Sequence, residues 1–332
     1  MTAKMKSGLK PLTAACLLAF ALAAQAQDSC PNRGDLDTMY CDANKDLVAD
    51  PPTDPKKFRD PKTLVFAFTP VEDPSVYEKL FQPFMGHLSS CVGKKTVFFA
   101  VQSNSAEIEA MRSGRLHIAA FSTGPTIFAT NIAGAVPFAI RGTGDKPEGV
   151  SIHMIVKKDS PYQKLTDLKG KKIAHTSPSS NTGNLAPRAL FPDLGLTPEK
   201  DYQVVFSGKH DQSILGVKSG DYDAAPVASD VLKHMTERGV VGADDFRVIY
   251  TSAIFPTDAY AHAHDLDPKL VEKIKRCFYD YRIPPEMAKG LGGDRFLPAD
   301  YKRDWELVRQ VTVMAGKNLG RAGYEAENKK KP

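Results

Sequence analysis

The sequence predicts an α/β protein of two lobes, each a mostly parallel sheet flanked by helices. Three observations carry that reading. From Thr63 onward, short strand-like runs alternate with helical stretches, the signature of consecutive βαβ units. The alternation pauses at the Gly-rich Gly142–Gly149 loop and then resumes, so the globular part splits into two series of ordinary domain size. The composition, 42% hydrophobic and 25% charged over 332 residues, is that of a globular chain and unlike disordered, collagenous or polytopic membrane chains.

Taken in order, residues 1–26 are built like a secretory signal peptide. Lys4, Lys6 and Lys10 precede an apolar run from Leu12 to Ala24, and Ala24-Gln25-Ala26 is a small-x-small cleavage site, which puts the mature start near Gln27. The run is short for a bilayer span, and no later stretch approaches the ~20 apolar residues that a membrane helix needs. Taking those three lysines from 44 basic residues leaves 41 against 39 acids, or +2, so bulk charge does not point to nucleic acid. Residues 27–61 are rich in Asp and Pro and read as an extension on a domain surface.

The first series is Leu64–Thr69 (strand), Ser75–Cys91 (helix), Thr96–Val101 (strand), Ala106–Ser113 (helix), Leu116–Ser122 (strand), Pro125–Ile132 (helix) and Val136–Ile140 (strand). The second is Ser151–Lys157 (strand), Leu165–Leu168 (short helix), Lys172–His175 (strand), Thr182–Leu190 (helix) and Gln203–Ser207 (strand). It continues as Gln212–Lys218 (helix), Tyr222–Val227 (strand), Val231–Arg238 (helix) and Arg247–Ser252 (strand), and the helices Pro268–Tyr281 and Tyr301–Leu319 follow. The basic tail Lys329-Lys330-Lys331 reads as solvated. Without Cys16, which falls in the signal, four cysteines remain. Cys30 and Cys41 are close enough for a local bridge in an oxidising compartment, while Cys91 and Cys277, each in a predicted helix, fit either a second bridge or two buried thiols.

A ligand of such a fold lies in the crevice at the carboxyl ends of the strands, and there the sequence places its hydroxyl-rich turns. Thr176-Ser177-Pro178-Ser179-Ser180-Asn181-Thr182-Gly183 joins a strand to a helix, where hydroxyls, free backbone N–H groups and the positive end of the helix dipole suit an oxyanion. Ser122-Thr123-Gly124-Pro125 repeats the arrangement in the first series, and Gln102-Ser103-Asn104-Ser105 is a third such turn. His210, also just past a strand, binds an anion as a cation or as an N–H donor. Asp230 and Asp258 end later strands in the same way and accept hydrogen bonds from a protonated oxyanion or from an amine. The absence of a phosphate-binding loop and of a dinucleotide fingerprint points to a small anion rather than a nucleotide.

Other patterns carry less weight. Asp42, Asn44, Asp46 and Asp50 have a calcium-loop-like spacing, but Leu47 replaces the expected Gly and no Glu closes the loop. His262 and His264 on a strand lack a third ligand and read as surface histidines. G-x-S-x-G, H-E-x-x-H and C-x-x-C are all missing, so hydrolase and redox chemistry have no signature.

From about Thr63 to about Tyr281 the chain resembles the periplasmic phosphate/phosphite/phosphonate-binding proteins of ABC transporters. The pieces that carry the likeness are AEIEAMRSGRLHI (Ala106–Ile118), PSSNTG (Pro178–Gly183), GKHDQSIL (Gly208–Leu215) and VIYTSAIFPTD (Val248–Asp258). The resemblance implies a type II binding-protein fold with two hinge crossings, near Val150–Ile152 and Ser252–Phe255. Residues 62–150 and 255–332 then form lobe 1, and 151–254 lobe 2. It implies that Ser180, Asn181, Thr182 and His210 hold an oxyanion, with Ser122, Thr123 and Asn104 beside it, and that Asp230 and Asp258 take the place of two acids that hold an amino group. Where the family has aromatics this chain has Asn104 and Val150, and Asn181 stands in place of a Thr. These departures point away from an aminoalkylphosphonate and leave phosphate, phosphite, a simple phosphonate or arsenate open. The implied protein is a periplasmic monomer without cofactor or catalysis that delivers its anion to a membrane permease. A sensor docking on a membrane kinase is the alternative.

Overall fold

The computed structural model describes residues 1–3 and 30–328; the apolar run and cleavage site of the signal-like segment, and the lysine tail, lie outside the described residues. The first lobe is built from β1 (Thr63–Phe68), α1 (Pro74–Val92), β2 (Lys95–Phe98), α2 (Asn104–Arg112), β3 (Ile118–Phe121), α3 (Thr123–Ala133) and β4 (Ala135–Thr143). A short β5 (Lys146–Pro147) on the Gly-rich loop leads to the crossing strand β6 (Gly149–Val150). The second lobe begins with β7 (Ile152–Lys157), β8 (Lys172–His175), a π-helical turn at Asn181–Leu185 running into α4 (Ala186–Leu190), and β9 (Gln203–Phe206). It is completed by α5 (His210–Ser219), β10 (Ala224–Ala228), α6 (Ser229–Glu237) and β11 (Phe246–Thr251). The chain returns through β12 (Phe255–Pro256) and closes with β13 (Ala259–Ala263), α7 (Pro268–Tyr279), α8 (Pro285–Leu291), β14 (Arg295–Pro298), α9 (Tyr301–Asp304), α10 (Glu306–Met314) and α11 (Arg321–Asn328).

One sheet has the order β14-β4-β13-β3-β1-β2 and the other β11-β7-β10-β8-β9, while the crossing strands β6 and β12 pair with each other, Val150 opposite Phe255. Both sheets are mixed rather than mostly parallel. The strands joined to one another by helical crossovers, β1, β2 and β3 in one sheet and β8, β9 and β10 in the other, run parallel and end at the cleft. By contrast β13 and β7 enter straight from the crossings, so each starts at the cleft and lies antiparallel to its neighbours. A strand fed by a crossing has no helix to carry the chain back to the far edge, and alternation along the sequence does not register that reversal.

Local chemistry sets the element ends. Asp73 caps α1 by accepting the Ser75 N–H, Pro74 sits in the first turn, and Gly93 ends the helix at φ 73°. The buried face of α1, Tyr77, Phe81, Phe84, Leu88 and Val92, meets Phe66, Tyr260, Phe278 and Phe296 in the core of the first lobe. The Cys91–Cys277 disulfide fastens α1 to α7, which decides the pairing that the sequence left open, and the local Cys30–Cys41 bridge is present as expected. The expected helix Tyr301–Leu319 is broken at Trp305. That side chain is fully buried and donates its indole N–H to the Thr123 carbonyl at 3.0 Å, so the C-terminal segment braces the base of α3 while α10 also packs on α4.

The extension lies on the first lobe. The Asp37 N–H donates to Asn131 O, the Tyr40 ring meets the edge of His264, and Arg59 forks onto Asp265. The calcium-like loop turns its oxygens on itself: Asp42 accepts the N–H groups of Asp46 and Leu47, and Asp50 that of Ala43. His262, expected at the surface, is buried against Phe138 because β13 is a central strand of its sheet. Among the described residues no group of three or more His, Cys, Asp or Glu is arranged to hold a metal ion.

Candidate functional site

Strand direction brings the turns together. β3, β8, β9 and β10 all end on the same crevice, so Ser122, Ser180, Asn181, Thr182, His210 and Asp230 line one cleft, and Thr123 and Asp258 join them. Phe68, Val71, Tyr77, Val150 and Leu291 complete its apolar wall.

The Ser-rich turn forms the first wall. Ser180 accepts the Gly183 N–H on its hydroxyl oxygen at 3.1 Å, which leaves its own O–H free to donate. Gly183 is required there, because a Cβ would overlap the Thr176 side chain. Asn181 is 2% exposed, and neither its Nδ2 nor its Oδ1 has a partner.

His210 faces this turn. Its Nδ1 accepts the Ala228 N–H at 3.1 Å, so Nε2 is the protonated nitrogen and points at the Ser180 and Thr182 hydroxyls, 3.5 Å from each. Burial depresses its pKa to about 3, and the ring therefore acts as a neutral N–H donor; of the two roles the sequence allowed, the cationic one drops out.

The opposite wall is the start of α3. Ser122 makes no capping bond and faces the cleft, whereas the Thr123 hydroxyl is committed to the carbonyls of Pro256 and Thr257, at 2.8 and 3.1 Å. The lobes stand closed on one another here, since a Cβ on Gly124 would overlap the Ser179 carbonyl oxygen. Three further links cross between the lobes: the His210 N–H donates to Val71 O at 3.1 Å, Arg238 pairs with the buried Glu72, and Asn104 donates to the Ser177 and Ser179 hydroxyls at 3.2 and 3.3 Å. Asn104 is thus placed outside the cleft lining, as a strut between the lobes.

The two acids part company. Asp230, in the first turn of α6, takes the neighbouring Val231 N–H at 2.8 Å, and burial raises its pKa. Asp258 lies in the two-residue link between β12 and β13, and both of its oxygens accept from Arg141, at 2.5 and 3.2 Å. Arg141, His234 and Thr257 are cleft residues that sequence reasoning missed. Arg141 was visible as the cation that ends the apolar run Ala135–Ile140 before the Gly-rich loop, and His234 stands one helical turn after Asp230. His234 is buried and neutral, held down to about pKa 4 by burial, and the buried Thr257 hydroxyl has no partner.

A family model described as the periplasmic substrate-binding protein of phosphonate ABC transporters matches residues 66–305. The chain belongs to that family. Among curated relatives, the phosphate-import protein PhnD of Mycolicibacterium smegmatis is 26% identical over 230 residues, covering 66% of this chain and 71% of that protein. The phosphonates-binding periplasmic protein of Escherichia coli is 24% identical over 258 residues and covers 76% of each. Two solved phosphonate-binding structures share the fold. A binding-protein component of a phosphonate transporter from Pseudomonas aeruginosa has a TM-score of 0.69 at 22% identity, covering 81% of this chain and 94% of its own. PhnD1 of Prochlorococcus marinus in complex with methylphosphonate also reaches 0.69, at 19% identity, with 77% and 99% covered. This phosphonate-binding family member therefore has the two-lobed type II binding-protein fold.

Proposed function

We propose that this protein is the periplasmic component of an ABC importer and captures phosphate, phosphite or a small phosphonate in the cleft between its lobes. In this reading Ser180, Asn181, Thr182 and Ser122 hold the oxyanion, His210 donates from Nε2, and Asp230 accepts a proton that the anion still carries. The observation that carries the reading is the Asn181 amide, buried on the cleft with both polar atoms unpaired. An unmet buried polar group costs about 1–3 kcal/mol, and an anion that supplies the missing partner removes that cost. The donors around it are a neutral imidazole, hydroxyls and the leading N–H groups of a helical turn, fixed dipoles suited to an anion in a closed site. Export fits the signal-like first 26 residues, and the protein acts as a monomer that hands its anion to a membrane permease without a chemical step.

Titration calorimetry of the mature chain with phosphate, phosphite, methylphosphonate and sulfate tests this. Binding of at least one phosphorus anion, with sulfate weaker, is the expected result. Failure to bind any of the three would overturn the assignment.

A further inference from the structure

We propose that the Arg141–Asp258 ion pair makes this cleft selective for phosphorus oxyanions whose remaining substituent is uncharged, and against those that carry an ammonium group. The inference rests on the functional reading above and names the substrate class within it.

Part of the cleft lining is shared with a second cavity on the hinge side, and Arg141, Asp230, His234 and Thr257 line both. A substituent projecting away from the oxyanion turn meets these four groups. Two carboxylates there would suit an ammonium ion. Instead, the Arg141 fork engages both oxygens of Asp258, and the two side chains are only 3% and 6% exposed. An ammonium group has to compete with that fork while lying beside a fixed cation in a desolvated wall, where like charges repel far more than in water. Of these four groups Asp230 remains as the one carboxylate outside the fork. The other two groups are uncharged: the Thr257 hydroxyl, buried and unpartnered, and the neutral His234 ring. A hydroxyl, hydrogen or small alkyl substituent meets this wall without breaking a charge pair.

The test is calorimetry on the mature chain at pH 7.5 with methylphosphonate and 2-aminoethylphosphonate. Wild type should bind methylphosphonate at least tenfold more tightly. Arg141→Met, which releases Asp258, should shrink that ratio below threefold or reverse it. Should that variant fail to fold, Asp258→Asn serves in its place; it leaves the guanidinium uncompensated and should widen the ratio. Equal binding of the two ligands by wild type overturns this inference alone, as does an unchanged ratio in a folded variant. If wild type binds neither these ligands nor phosphate nor phosphite, the functional reading falls and this inference falls with it.

Discussion

The backbone N–H of Ala228 donates to Nδ1 of His210 at 3.1 Å, and that one bond decides which nitrogen of the ring faces the cleft with a proton. The donor comes from the end of β10 and the ring from the start of α5, so the orientation of His210 is fixed by two elements of the second lobe rather than by its own loop.

Loss of this donor should be felt directly in affinity. A hydrogen bond to a charged ligand contributes about 1.5–3 kcal/mol, so His210→Ala and Thr182→Ala should each weaken oxyanion binding about ten- to a hundred-fold by calorimetry. His262→Ala, buried in the first lobe and outside the cleft lining, should leave affinity unchanged even if it lowers stability. Undiminished affinity in His210→Ala would show that the ring does not contact the anion.

Closure should depend on the bare backbone at Gly124. Because a Cβ there would overlap Ser179 O across the cleft, Gly124→Ala should hold the lobes apart. Small-angle scattering with saturating ligand should then give a larger radius of gyration than wild type, with an unchanged circular dichroism spectrum. A wild-type radius would contradict the closing geometry.

Acid should destabilise the fold through its buried histidines. His117, His175, His234 and His262 are each held near pKa 4, and His210 near 3, in every case chiefly by burial. The unfolded chain takes up protons at these rings from about pH 6.5 downward while the folded chain does not. Stability contributed by keeping them neutral is therefore complete above pH 6.5 and is lost progressively as pH drops toward 4. Differential scanning fluorimetry should show the melting temperature falling steeply between pH 6.5 and 4; a flat profile would mean that the rings titrate normally.

Removing the long disulfide should cost more than removing the short one. Cys91 and Cys277 are 186 residues apart and Cys30 and Cys41 only 11, so the first restricts a far larger loop of the unfolded chain. Cys91→Ser together with Cys277→Ser should lower the denaturation free energy by about 2–4 kcal/mol. Cys30→Ser with Cys41→Ser should act mainly on the extension and spare ligand affinity. Urea titrations and calorimetry of the two double variants separate these outcomes.

What the sequence determined by itself was local. Alternating strand and helix patterns define two α/β lobes, and a hydroxyl-rich turn between a strand and a helix needs only its own residues to expose N–H groups, so Ser180, Asn181 and Thr182 were legible, as was His210 just past a strand. The tertiary structure decided everything that depends on which strands lie side by side. Arg141 reaches Asp258 across 117 residues because β4 and β13 are neighbours, and they are neighbours because the chain re-enters the first sheet from the second crossing. The same return makes the first sheet mixed, buries His262, and turns Asp258 from an open acceptor into half of an ion pair. Asn104 is drawn off as an interlobe strut by serines of the other lobe, more than 70 residues away in sequence. Periodicity and spacing report on the nearest turn or two of chain, whereas these charge pairings arise from contacts that form only when the two crossings fold the chain back on itself.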